Sequence, residues 1–115
     1  MANKNLQKYY LYNSKEKKFI NLVDRIINKI KTKTGNDLSS VDIIFDEMKP
    51  LASCDTKRKI IWINHKVIND PIDNQKCVIV HELAHFAALG EKHNYKFRET
   101  LYDFEEIIFG RIISI

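Results

Sequence analysis

The chain lacks most of the devices that hold small domains together without a large core. It has two cysteines, Cys54 and Cys77, which make neither a disulfide framework nor a CxxC pair. The opening stretch MANKNLQKYYLYNSKEKK has no apolar h-region, so no secretory signal is expected and a cytoplasmic chain with reduced thiols follows. No apolar run approaches the roughly 20 residues that span a bilayer, which excludes a membrane helix. With two prolines, three glycines, no repeat and no low-complexity stretch, a linker between domains is not expected. The organisation predicted is a tail over 1–14 and one domain over 15–115. Acid is scarce at one end: residues 1–33 carry nine Lys or Arg against two Asp or Glu, and residues 34–115 carry ten against thirteen. A solvated basic helix face explains that asymmetry. DNA is the alternative partner for it, although no aromatic-basic recognition motif accompanies the charge.

What the chain has is periodicity. Phe19, Val23, Ile26 and Ile30, with Ile20 and Ile27, recur at helical spacing. They predict an amphipathic helix over 15–33, with Ser14 as N-cap and Gly35 as its stop. VDIIF at 41–45 reads as a short buried strand. Residues 51–55 and 59–64 read as an antiparallel hairpin about the turn Asp55-Thr56-Lys57-Arg58. Asp70 as N-cap and Pro71 at the first helical position open a helix running to Leu89, with Gly90 to end it. A last helix over 95–108 carries Phe97, Leu101, Phe104 and Ile108 as its stripe. The fold class is therefore α+β: an N-terminal helix, a small three-stranded sheet with a hairpin, a central helix and a C-terminal helix. The tail RIISI is free to add a strand, cap the core or occlude a cleft.

The central helix is apolar almost all round, yet its middle carries His81, Glu82 and His85. Burying those side chains unpaired would cost several kcal/mol, so they call for a partner, and a cation supplies one. Histidines four apart share one helix face, so both imidazoles reach a single ion. Glu82 beside them is placed to take a proton from water that a metal has acidified. A third protein ligand would leave one tetrahedral position open, the mark of a catalytic zinc site. His93, just past the helix end, is the expected third ligand. Glu99, with Glu105 and Glu106 behind it, is the rival; otherwise these carboxylates are expected to be solvated. Cys77, one turn before His81, and Cys54 in the hairpin are expected to be packing residues. Tyr95 and Tyr102 are candidates to steady an oxyanion, against a plain packing role. His65 is expected to be a surface residue.

The run LASCDTKRKIIWIN, then VIVHELAHF, then EKHNYKFRETL resembles the SprT-like and YgjP-like zinc metallopeptidase domains. Those pair an HExxH helix with a downstream His followed by a Phe, which here are His93 and Phe97. The chain is also similar to the minigluzincins, minimal single-domain peptidases with a three-stranded sheet and a glutamate ligand. The resemblance implies a zincin-like minimal domain and a zinc metalloendopeptidase acting on peptide or protein substrates. It departs from many SprT-like proteins in having no cysteines for a C-terminal zinc ribbon, and HN replaces their more usual HG. Two other functions stay open. One is a nucleic-acid-associated protein that keeps zinc structurally and acts on or binds DNA-bound proteins. The other is a latent peptidase whose cleft is blocked by YYLYN or RIISI.

Overall fold

The computed structural model describes residues 12–47, 50–90 and 92–114. Its first element is α1 (Ser14–Thr34), whose buried face is Phe19, Leu22, Val23, Ile26, Ile27 and Ile30; the spacing predicts all of these but Leu22, and Ile20, also expected there, is half-buried. The cap differs from expectation. Asn13, not Ser14, is the N-cap: its side chain accepts from the Glu16 amide while the Glu16 carboxylate accepts from the Asn13 amide. Serine and asparagine cap comparably on their own; Glu16, three residues after Asn13, closes the reciprocal box and decides between them. At the other end Gly35 takes φ 81°, a conformation that costs glycine nothing, and its amide reaches the Lys31 carbonyl.

Three strands follow, β1 (Asp42–Asp46), β2 (Ala52–Asp55) and β3 (Ile60–Asn64), in the order β1-β3-β2. β1 runs parallel to β3, and β2 pairs with it antiparallel as the hairpin predicts. The Asp55 carboxylate holds the turn, accepting from the Lys57 and Arg58 amides and from Arg58 Nε. Among the described residues both outer strands are edges. On β1 the Ile43 carbonyl accepts the Tyr12 hydroxyl at 3.0 Å, and the Tyr12 ring meets Phe45 edge-on. Part of the N-terminal arm thus lies on β1; Tyr9 and Tyr10 fall outside the described residues.

A 3-10 turn (His65–Asn69) leads to α2 (Ile72–Ala87) and then α3 (Tyr95–Phe109). The ends of α2 correct two expectations. Asp70 closes the 3-10 turn instead of capping α2; Pro71 stands at the N-cap with no side-chain bond. At the far end the helix stops at Ala87, and Leu89, not Gly90, takes the left-handed turn with φ 58°. The first turns of α2 are also not buried: Ile72 and Cys77 are exposed, so Cys77 is no core residue. Burial begins at Ile79 and Val80, where α2 packs on α1, α3 and β2. One core cluster joins the faces of all three helices to Ile43, Ile61, Ile63 and Val67. Each such aliphatic side chain contributes about 1.5–3 kcal/mol on burial, and the site is held between these packed elements. No helix among the described residues is long and apolar enough to cross a membrane.

Candidate metal centre

His81 and His85 project from successive turns of α2 with ring centroids 5.2 Å apart. The chain then turns sharply at residues 88–90 and returns His93 to the pair, 5.0 Å from the His81 ring and 4.9 Å from the His85 ring. The ligand-capable atoms of the three imidazoles all lie within 4.8 Å of one another. His93 Nε2 is 3.1 Å from His85 Nε2. Tetrahedral bonds of about 2.0–2.1 Å place two donors about 3.3 Å apart, so this spacing suits one zinc ion. Burial grades across the group, with His85 buried, His81 half-buried and His93 exposed, which leaves the site open on the His93 side.

Two further groups fix the imidazoles. The Gly90 carbonyl is 3.0 Å from His85 Nδ1, and a carbonyl only accepts, so Nδ1 carries the proton and Nε2 presents its lone pair. The left-handed Leu89 makes that possible by turning the chain back onto its own helix. Beneath the three rings lies Phe97, buried, with its centroid 4.3 Å from His85, 4.7 Å from His93 and 5.1 Å from His81. Asn94 caps α3 by accepting from the Phe97 amide, so the same short segment places His93 and the ring it rests on.

The His81 pKa is lowered to about 4, first by burial and then by His85 and His93, with Glu105 opposing. An imidazole that stays neutral to so low a pH has its lone pair ready for a cation. Glu82, one residue along, is buried at 6 % exposure. Burial raises its pKa to about 7, and the Cys54 thiol, hydrogen-bonded to it, opposes that shift. A cavity of about 380 Å³ opens between β2 and α2, lined by Leu51, Ala52, Cys77, Val78, His81 and Glu82.

The other candidates are distributed differently. Glu99 is exposed and accepts the Tyr95 hydroxyl at 2.7 Å, so that phenol is engaged on the outer face of α3. Glu106 is exposed, but Glu105 is not the solvated carboxylate expected of that helix. It is 4 % exposed and accepts from the Ile113 amide, the Ser114 amide and the Ser114 hydroxyl. Residues 113–114 of the tail thus cap a buried charge. None of these three glutamates belongs to a metal-capable group among the described residues. His65 pairs with Glu16 at 3.1 Å and stacks on Phe45, away from the site. Tyr102 is half-buried on α3. Three basic residues of α1, Lys15, Lys18 and Arg25, line another cavity of about 530 Å³.

Sequence reasoning missed the Gly90 carbonyl, which no side-chain pattern announces, and Cys54, separated from Glu82 by 28 positions. Glu105 carried a signal: it falls four after Leu101 and eight after Phe97, inside the apolar stripe of α3.

The family model described as YgjP-like, metallopeptidase domain, matches residues 2–106. Two solved structures resemble the fold. The metallopeptidase zymogen of Pyrococcus abyssi abylysin is 23 % identical with a TM-score of 0.61, over 76 % of this chain and 79 % of that one. The metallopeptidase zymogen of Methanocaldococcus jannaschii jannalysin is 29 % identical with a TM-score of 0.51, over 70 % and 79 %. No curated protein sequence matches the chain significantly.

Proposed function

The chain belongs to the YgjP-like metallopeptidase domain family, and from that premise we propose that it is a zinc-dependent peptidase. In this reading His81, His85 and His93 hold the metal and Glu82 is the general base. One observation carries it: three imidazoles converge within 4.8 Å beside a buried, sparsely bonded carboxylate. Zinc bound there supplies Lewis-acid polarisation of the scissile carbonyl and makes water acidic enough to attack near neutral pH.

The protein's own groups supply the rest. Glu82 takes the proton from the attacking water and delivers it to the leaving amine nitrogen. Burial raises its pKa above that of a solvated glutamate, and a dication alongside would oppose that shift and keep it ionised. β2 is the sheet edge beside the cavity, so its outward backbone groups are available to an extended peptide pairing as an added strand. Leu51, Ala52 and Val78 offer an apolar wall to one substrate side chain. The Phe97 floor and the Gly90 carbonyl hold the imidazoles in place before any metal arrives. The test is Glu82→Gln, assayed for zinc content and for hydrolysis of an unfolded protein substrate. Zinc should stay and cleavage should go; an unchanged rate would sink the general-base assignment. His93→Ala should lower zinc content, and Glu99→Ala should leave it.

A second reading concerns regulation of the same site, and the capping of Glu105 by the C-terminal segment favours it. Glu105 acts electrostatically on His81 and Cys77, both of which line the cavity, and the tail is fastened to that glutamate. Residues 111–115 would then hold the enzyme latent, as the word zymogen describes the two similar structures. Removing those residues should raise hydrolysis by the zinc-loaded protein. No change in a truncated protein that still melts cooperatively would dismiss the tail as a latency element.

A further inference from the structure

His85 belongs to two metal-capable groups, not one. Besides His81 and His93, it lies with Cys54 and Glu82 in a second set whose ligand atoms are also within 4.8 Å of one another. Cys54 is held by β2, where it pairs with Ile61 of β3, and it packs against the core on the face that looks onto α2. Glu82 and His85 stand three residues apart on α2, one turn, and both are buried. A rigid strand and a rigid helix therefore bring a thiol, a carboxylate and an imidazole together.

We propose that Cys54, Glu82 and His85 form a second metal site, selective for thiophilic divalent cations and mutually exclusive with the three-histidine site. The exclusivity follows from His85. Its Nδ1 donates to the Gly90 carbonyl, so Nε2 alone can bind a metal, and one lone pair serves one ion. Selectivity follows from the donors, since a thiolate favours soft cations over the hard ones that seek carboxylates alone. Binding releases the Cys54 proton to solvent as the sulfur–metal bond forms, together with any proton that Glu82 carries, so net charge changes by the ion's charge less one for each proton released. A cation held here takes the Glu82 carboxylate as a ligand and withdraws His85 from the histidine set. It therefore acts as an off-position for the metal. That inhibitory consequence rests on the peptidase reading; the binding does not.

The test separates the two. In a Cys77→Ser background, needed because Cys77 is exposed, metal-depleted protein is titrated with Cd²⁺ and followed by thiolate-to-cadmium charge-transfer absorption. One saturable equivalent is expected. The absorption should survive His81→Ala and His93→Ala, which break only the histidine set. Its affinity should fall about tenfold or more in Glu82→Gln and in His85→Ala. Glu82→Gln nearly preserves shape, so it stands if His85→Ala fails to fold. Absence of the absorption in the Cys77→Ser protein would overturn the proposal. So would an affinity unchanged by Glu82→Gln, which would mean a lone thiol capturing cadmium. Where hydrolysis is measurable, inhibition by Cd²⁺ should be relieved in Cys54→Ser relative to that variant's own uninhibited rate; equal inhibition would overturn the off-position.

Discussion

Two buried carboxylates, Glu82 on α2 and Glu105 on α3, are treated in opposite ways. Glu105, at 4 % exposure, accepts from two backbone amides, at 3.1 and 3.0 Å, and from the Ser114 hydroxyl. Glu82, at 6 % exposure, is met by the thiol of Cys54, a weak donor, and burial pushes its pKa up to about 7. Equal burial therefore does not mean equal chemistry. A carboxylate surrounded by strong donors is a fastening, because its lone pairs are already used. One left nearly bare in an apolar pocket stays basic, and that is what proton transfer requires.

The contrast is sharpest in activity. Glu82→Gln should lower kcat/KM by about 10²–10⁴-fold, the usual contribution of a positioned general base. Glu105→Gln keeps an acceptor oxygen and the side-chain shape, so it should cause no loss on that scale. Rates and bound zinc measured for both variants decide the matter. If Glu105→Gln were as damaging as Glu82→Gln, the two carboxylates would belong to one catalytic unit and the contrast would be broken.

The next effect is on stability and appears only when metal is removed. The folded-state pKa of Glu82, about 7, lies above its ordinary value of 4.5. Between those values the folded protein keeps a proton the unfolded chain has lost, so stability declines as pH rises through the window. At 1.36 kcal/mol per unit the loss at pH 8 is at most about 3 kcal/mol. Glu82→Gln has no charge to bury. Metal-depleted Glu82→Gln should therefore melt higher than wild type at pH 8 and alike at pH 4. His81, whose folded pKa is lowered to about 4, adds the opposite slope as pH falls below 6.5, but both proteins share it and the difference isolates Glu82. Parallel melting curves at all pH values would show that Glu82 carries no burial cost.

How much of this was legible in the sequence depends on whether the information is local. Periodicity placed all three helices, because the apolar faces of α1 and α3 are written every three or four residues; β-branched residues marked β1, and the polar turn at Asp55–Arg58 marked β2 and β3 as a hairpin. The HExxH spacing brought His81 and His85 together by helix geometry alone, and His93 followed from the nearby stop. The stop itself was misplaced: glycine is the natural left-handed residue, yet Leu89 takes the turn and Gly90 supplies a carbonyl to His85. Asp70 lost the cap of α2 because the helix begins at Ile72, which puts Pro71 at the N-cap position and leaves Asp70 one residue outside it. Cys54 and Glu82 meet through tertiary packing between β2 and α2, which no spacing encodes. Glu105 was misjudged because a glutamate is normally solvated; its position within the α3 stripe argued otherwise.

The smallest effects test the fastening itself. Glu105→Ala leaves the Ile113 and Ser114 amides without their acceptor and should cost about 1–3 kcal/mol, the penalty for stranded partners. Ser114→Ala removes one donor of three and leaves both amide bonds to Glu105 standing. Since a single hydrogen bond is worth about 0.5–1.5 kcal/mol net, it should cost about 1 kcal/mol and lower the melting temperature by roughly 4 °C. The ratio of the two losses is informative. If Ser114→Ala costs as much as Glu105→Ala, the hydroxyl alone fastens the tail and the backbone bonds are incidental. If it costs nothing, the amides suffice, and any residue but proline at position 114 would fasten the tail equally well. An intermediate cost, with hydrolysis rising in Ser114→Ala, would tie release of the tail from Glu105 to the freedom of Glu82. The saturated carboxylate would then govern the bare one.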